Sequence, residues 1–413
     1  MRRPLAAVLV VAGVSLAAWL ALRPGTPALE TPPLRSGRAF IGSIGVNTHL
    51  SYAGTTYARF AVIRQRLREL GVLNVRDGLF LARPFELSRI EQLAADGIRT
   101  TLILQGPPPA VASVVKGLRG ALAAVESPNE PDVSLGPGWQ PLLRRFLPAM
   151  RAQLAARPAL RVPLLGPSVV HDSSREALRD LAPQWDVTNI HAYAGGRPPE
   201  EALDDDAETA RRIEGGKPVE ATETGYHNAL NATAGQPPVS GRAAAVYVPR
   251  AVLEGFRDGL VRTFLYELAD EHAEPALSDP EQHFGLLRAD LSPKPAFVAL
   301  RRLIAAVRGP SGPRARDVPG VRTDARGLGV RAVLLGRDDG SRVLALWRPA
   351  VAWSAAERAP VEATPVDVRV VFARVPRAVA LAHPSESATT RALSPTTSLS
   401  LPVAADVALL SFR

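Results

Sequence analysis

Short apolar runs alternate with helix-like segments along most of this chain, at the roughly 30-residue spacing of repeated βα units. The runs begin near Ile44, Val72, Thr100, Leu122, Val162, Val187, Pro218 and Thr263, which makes eight candidate strands. The segments between them carry helical stripes. Phe60, Ile63, Leu67 and Leu70 fall at i, i+3, i+7 and i+10, and Phe297, Leu300, Ile304 and Val307 repeat that spacing. Eight strands, each followed by a helix, close most simply as a (β/α)8 TIM barrel, an α/β fold of about 250 residues. An open doubly wound sheet would usually carry a Gly-rich phosphate loop after its first strand, and "IGSIGVNTHL" lacks that spacing.

The pattern changes after residue 308. "GPSGP" at 309–313 marks a boundary, and beyond it Val366, Val368 and Val370 alternate with Asp367 and Arg369, as in a half-buried strand. "GVRAVLLG", "SRVLALW", "RAVALAH", "TSLSLPV" and "DVALLSF" are further strand candidates. Six short strands predict an antiparallel β-sandwich. The expected domains are therefore a barrel over 38–310 and a sandwich over 311–413.

Residues 1–37 stand apart. Arg2 and Arg3 precede an uncharged run from Leu5 to Leu22, and Pro24 to Pro33 contains four prolines. The run suits a signal peptide or an uncleaved membrane anchor, followed by a Pro-rich tether. Either way the rest of the chain is expected outside the cytoplasm, touching membrane through this segment alone.

Composition narrows the chemistry. The chain has 413 residues and no cysteine, which excludes disulfides, thiolate nucleophiles and cysteine-held zinc. A formal net charge of +9 could signal nucleic acid, but the arginines are scattered over helices and form no basic stripe, so no nucleic-acid partner is expected.

Functional residues of a βα barrel sit at the carboxyl ends of its strands. The first run ends in Asn47 and His49, the second in Arg76 and Asp77, the fourth in Asn129 and Glu130. The sixth ends in His191 and Tyr193, the seventh in Glu223, Tyr226 and His227, the eighth in Tyr266, Glu267 and Asp270. Glu130 and Glu223 close strands on opposite sides of the mouth. Cleaving a glycosidic bond with retention needs two carboxyl groups about 5 Å apart, one to donate a proton and one to attack the anomeric carbon.

"PNEP" after the fourth strand and "TETG" after the seventh resemble the two catalytic signatures of the clan A glycoside hydrolases, retaining enzymes on (β/α)8 barrels. "VRDG" after strand two, "HAY" after strand six and the terminal "FGLLRADLSPKPAFVAL" are similar too, so the resemblance spans about 42–308. Family 39, in which a C-terminal sandwich is common, is the nearest. The resemblance implies Glu130 as acid/base and Glu223 as nucleophile. It implies that Asn129 bonds the sugar 2-hydroxyl, that Tyr193 and Arg76 hold Glu223 ionised, and that His191 binds sugar or orients a carboxylate. Asn47, His49, Tyr226 and Tyr266 are the further expected sugar contacts. Many clan members place a Trp after strand eight; "FLYEL" departs from this, and Tyr266 is the candidate substitute. Glu126 is expected to support Glu130 or face the barrel interior. Asp204 to Asp206 reads as a solvated helix face, and Trp139 and Trp347 as sugar platforms or, for Trp347 above all, core. A carbohydrate substrate, no cofactor and no metal are expected. A transglycosylase or a non-catalytic polysaccharide scaffold would share most of these residues.

Overall fold

The computed structural model describes residues 27–83, 85–118, 120–158, 161–310, 314–387 and 389–413. Leu5 to Leu22 lies outside them. Among the described residues no helix is long and apolar enough to cross a membrane.

The chain enters through β1 (Leu34–Ser36), then runs through eight parallel strands: β2 (Ile44–Asn47), β3 (Asn74–Gly78), β4 (Arg99–Ile103), β5 (Leu122–Glu126), β6 (Leu164–Leu165), β7 (Thr188–His191), β8 (Val219–Thr224) and β9 (Thr263–Leu265). Their order in the sheet is β6-β5-β4-β3-β2-β9-β8-β7. A parallel bridge between Leu165 and Val187 joins the two ends and closes the barrel. Each strand starts within two residues of its expected position.

The helical stripes are buried as their spacing requires. Ile63, Leu67 and Leu70 of helix Phe60–Leu70 face the core, and Gly71 ends that helix in the left-handed conformation at φ 84°. Phe297, Leu300, Ile304 and Val307 are all buried on the last helix, Pro295–Arg308.

The C-terminal region forms two main sheets and a short antiparallel pair, β13 (Trp353–Ser354) with β14 (Ala359–Pro360). The larger, ordered β1-β11-β12-β19-β16-β17, includes β11 (Arg331–Gly336), β12 (Arg342–Trp347), β16 (Val379–Ala382), β17 (Arg391–Leu393) and β19 (Ala408–Phe412). The smaller is β10-β15-β18, with β10 (Val321–Thr323), β15 (Val366–Phe372) and β18 (Ser398–Val403). Leu334, Leu344 and Leu410 pack between the sheets with Val368, Val370 and Leu401. The intervening Val333, Leu335, Val343, Ala345 and Leu409 turn the other way and join the barrel's core. The large sheet is thus buried on both faces, which is why its strands read as near-continuous apolar runs.

The described residues before the barrel also meet the sandwich: Glu30 bridges Thr323, and β1 pairs in parallel with Leu334–Gly336, capping the sheet edge. The pairing links positions 300 residues apart, and a three-residue strand carries no alternation to announce it.

Candidate active site

The carboxyl ends of the strands surround a cleft of about 560 Å³. Arg76 stands at its centre. It projects from the middle of β3, only 2% exposed, inside the barrel. Its Nε and Nη2 donate to the two oxygens of Glu126 at 2.7 Å each, and Nη1 donates to Glu223 Oε1 at 2.6 Å. Nη1 also reaches Asn47 Oδ1 at 3.0 Å, and Nη2 reaches Asn129 Oδ1 at 2.6 Å. A buried guanidinium is sustained only by such pairing. Glu126, on β5, therefore faces the barrel interior as the main partner of Arg76.

Glu223 is gripped on both oxygens. Tyr193 Oη donates to Oε2 at 2.7 Å opposite the Arg76 contact on Oε1. Burial opposes its charge, but the His191 and Arg76 charges and the two donated hydrogen bonds outweigh it and hold the carboxyl below its usual range. The same burial and the Glu223 charge push the Tyr193 phenol well up, so it remains a donor.

Glu130 is held differently. Pro131 disfavours the right-handed helical region for the residue before it, and Glu130 sits at φ 41°, ψ 53° in the left-handed region. Such a residue costs of order 1–3 kcal/mol and needs surrounding support. Its N–H donates to Ser168 Oγ at 3.2 Å, and its carbonyl accepts from Ser134 N–H at 2.9 Å. Its side chain is 29% exposed, and Oε1 lies 2.7 Å from His191 Nδ1. An oxygen of Glu130, one of Glu223 and a ring nitrogen of His191 all lie within 4.8 Å of one another.

His49 lines the cleft beside Tyr52, their rings stacked at 4.6 Å. Its Nε2 is 3.2 Å from Glu267 Oε2 and 3.8 Å from Glu271 Oε1. Burial works against its charge, yet the hydrogen bond and charge of Glu267, aided by Asp77 and Glu271, push the imidazole up to about 9. This trio has metal-like spacing, but a protonated imidazole has no lone pair to give a cation. In the Glu130–His191–Glu223 group, both oxygens of Glu223 are already occupied by Arg76 and Tyr193.

Nine of the ten residues expected to react or to bind sugar line this one cleft, Asn47, His49, Arg76, Asn129, Glu130, His191, Tyr193, Glu223 and Tyr266, and Asp77 lines it too. Tyr226 does not. It is buried against Tyr247, ring centroids 5.1 Å apart, and donates to the Arg197 carbonyl at 2.8 Å. Gly225 explains the turn away: a Cβ there would lie 2.2 Å from the Tyr266 carbonyl oxygen, so only glycine lets the chain pass under that strand end. His227 is likewise buried, with Nε2 2.6 Å from the Gln236 carbonyl. Asp270 is tied to Lys294 Nζ at 2.7 Å.

Other expectations change. Asp206 is half-buried and lines the cleft, and Asp204 accepts from Arg331 of the sandwich at 3.2 Å; Asp205 alone of the three is exposed. Trp139 belongs to the core of its helix, and Trp347 is fully buried, donating to Glu200 Oε1 at 2.8 Å. Neither borders the cleft. Sequence reasoning missed Tyr52, Phe80, Gln236 and Phe284, which line it from loops, and Glu281, which lines it from the short 3-10 helix Pro280–Gln282. The one local signal was aromatic residues in loops directly after strand ends.

No protein-family model matches the sequence, and no curated protein matches it. Solved structures do. The family 39 glycoside hydrolase enzyme from Xanthomonas axonopodis pv. citri superposes with a TM-score of 0.62 at 13% identity, covering 95% of this chain and 98% of that one. A family 39 glycoside hydrolase from the gut symbiont Bacteroides cellulosilyticus WH2 gives 0.60 at 16% identity, covering 93% and 83%. A monomeric beta-xylosidase from Caulobacter crescentus CB15 gives 0.58 at 14% identity, covering 93% and 97%. At these identities the likeness is one of fold: a (β/α)8 barrel with a C-terminal sandwich, over nearly the whole chain.

Proposed function

We propose that this protein is a retaining glycoside hydrolase acting on O-glycosidic bonds of an oligo- or polysaccharide, with Glu223 as nucleophile and Glu130 as acid/base. The observation that carries the reading is a pair of carboxyl oxygens within 4.8 Å of each other across the cleft, the close approach of a retaining pair rather than the roughly 6.5–9.5 Å separation of an inverting one. Their settings differ in the sense the two roles need. Glu223 receives Arg76 and Tyr193 on its two oxygens, which favours an ionised attacking group. None of the Arg76 hydrogen bonds goes to Glu130, whose partner is an imidazole nitrogen.

Attack by a Glu223 oxygen on the anomeric carbon breaks the bond to the leaving oxygen as Glu130 delivers a proton to it. Water, deprotonated by Glu130, then displaces Glu223. Asn129 Oδ1 is taken by Arg76, so the amide offers its N–H2 group to a sugar hydroxyl. Tyr266, Tyr52 and Phe284 supply aromatic surface for the sugar faces. The testing experiment is turnover of a panel of aryl glycosides and defined oligosaccharides by the purified protein, with the anomeric form of the first product read by NMR. Retention is expected; inversion, or no turnover of any saccharide, overturns the proposal.

The uncharged run Leu5–Leu22 behind Arg2 and Arg3 supports export, with the barrel working outside the cytoplasm. Fractionation of a C-terminally tagged protein tests it, and a soluble cytoplasmic pool with an intact N-terminus would rule it out.

A further inference from the structure

The hydroxyl of Thr222, next to the proposed nucleophile in sequence, points away from the cleft. It donates to Asn189 Oδ1 at 2.5 Å and contacts His191 Nε2 at 3.1 Å. Thr222 and Asn189 are fully buried. Asn189 is further fixed through its carbonyl, which accepts from Arg175 at 3.0 Å.

A threonine hydroxyl has one proton and two lone pairs, while an amide oxygen only accepts. A separation of 2.5 Å suits O–H···O and is too short for an amide N–H. The Thr222 proton therefore goes to Asn189, and only a lone pair is left for His191. Nε2 must be the donor. Arg76 Nη2 approaches Nε2 at 3.5 Å, but its two hydrogens are already used at 2.7 Å on Glu126 and 2.6 Å on Asn129.

The geometry points to Thr222 and Asn189 as positioning residues that lock the His191 tautomer, with the hydrogen on Nε2, and so make His191 the proton partner of Glu130. This rests on the hydrolase reading above. With Nε2–H fixed, Nδ1 faces Glu130 Oε1 across 2.7 Å, with Glu223 Oε2 farther off at 3.6 Å, and presents a lone pair or, when charged, an N–H. The pair shares one mobile proton. That proton passes to the leaving oxygen as the glycosidic bond breaks and Glu223 bonds to the sugar. Glu130 is then an anion facing a lone pair, which disfavours the anion and strengthens it as the base that takes a proton from water. The shared proton is restored as water bonds to the anomeric carbon and Glu223 leaves. The other tautomer would donate Nδ1–H to the Glu130 anion, stabilise it and weaken both steps.

Two measurements on the full-length protein test this. Long-range 1H–15N correlation of 15N-histidine-labelled protein, assigned with H191N and recorded at alkaline pH, is expected to show His191 protonated on Nε2; Nδ1–H there overturns the inference. T222V frees the ring to adopt Nδ1–H, so the alkaline limb of kcat/KM should move down by about one unit, while T222S keeps the wild-type limb. A limb unmoved in T222V, or moved equally in T222S, assigns Thr222 a structural role only and overturns it. If T222V does not fold, the wild-type correlation decides. Absence of turnover on every glycoside would sink the hydrolase reading and leave the tautomer measurement standing.

Discussion

Arg76 donates to Glu223 Oε1 at 2.6 Å from a position 2% exposed inside the barrel, and the same guanidinium grips both oxygens of Glu126. One cation thus pairs with two buried carboxyl groups. Arg76→Met should strand both, at a cost of about 3–5 kcal/mol, read by denaturant unfolding. In protein that still folds, the acidic limb of kcat/KM should move to higher pH. The Arg76 charge helps hold Glu223 below its usual range, and the proposed nucleophile must be ionised to attack. An unmoved limb would separate Arg76 from the ionisation of Glu223.

The two carboxylates should fail in different ways. Glu130→Ala should lower turnover of substrates with poor leaving groups by about 10²–10⁴-fold, yet still allow glycosylation by activated aryl glycosides. Deglycosylation should then stall, and azide should restore it. Glu223→Ala should form no covalent intermediate with any leaving group. Trapping the wild-type protein with a slow fluorinated glycoside and mapping the labelled peptide checks the assignment; a label on Glu130 would mean the roles are exchanged.

Glu86 offers a pH test away from the chemistry. It is fully buried, accepts from Phe80 N–H at 3.2 Å through Oε2, and leaves Oε1 without a partner. Burial, with the nearby Asp77 charge, pushes its carboxyl up to about 8. The folded state then keeps a proton that the unfolded chain releases above its ordinary value near 4.3. The stability it contributes is present below that value and is lost as pH rises toward 8. Glu86→Gln should match the wild type near pH 4 and melt a few degrees higher, roughly, at pH 8. Equal melting temperatures across this range would refute the assignment.

Trp347 tests the seam between barrel and sandwich. It is fully buried and donates to Glu200, which Arg250 grips through both oxygens at 2.9 and 2.6 Å. Trp347→Ala should cost about 3–5 kcal/mol through the cavity it leaves. Activity per folded molecule should stay unchanged, because this cluster does not border the cleft. A drop in kcat at full folding would tie the sandwich to the chemistry.

The eight-strand rhythm, the helical stripes and the residues closing each strand were legible in the sequence because each is local. Apolar periodicity sets which face of an element is buried, and the barrel topology puts strand ends at one mouth. That is enough to gather Asn47, Arg76, Asn129, Glu130, His191, Tyr193 and Glu223 into one cleft. Tertiary structure alone decided the rest. Tyr226 follows Glu223 by three residues and still leaves the cleft, because the chain must pass beneath the Tyr266 carbonyl. Asp206 and Glu281 reach the cleft from segments whose local pattern marks them only as polar. β1 finds its partner 300 residues away, and Thr222 meets His191 and Asn189 only because β7 and β8 lie side by side. Such contacts depend on loop paths and strand closure, which bring together residues whose separation along the chain carries no periodic signal.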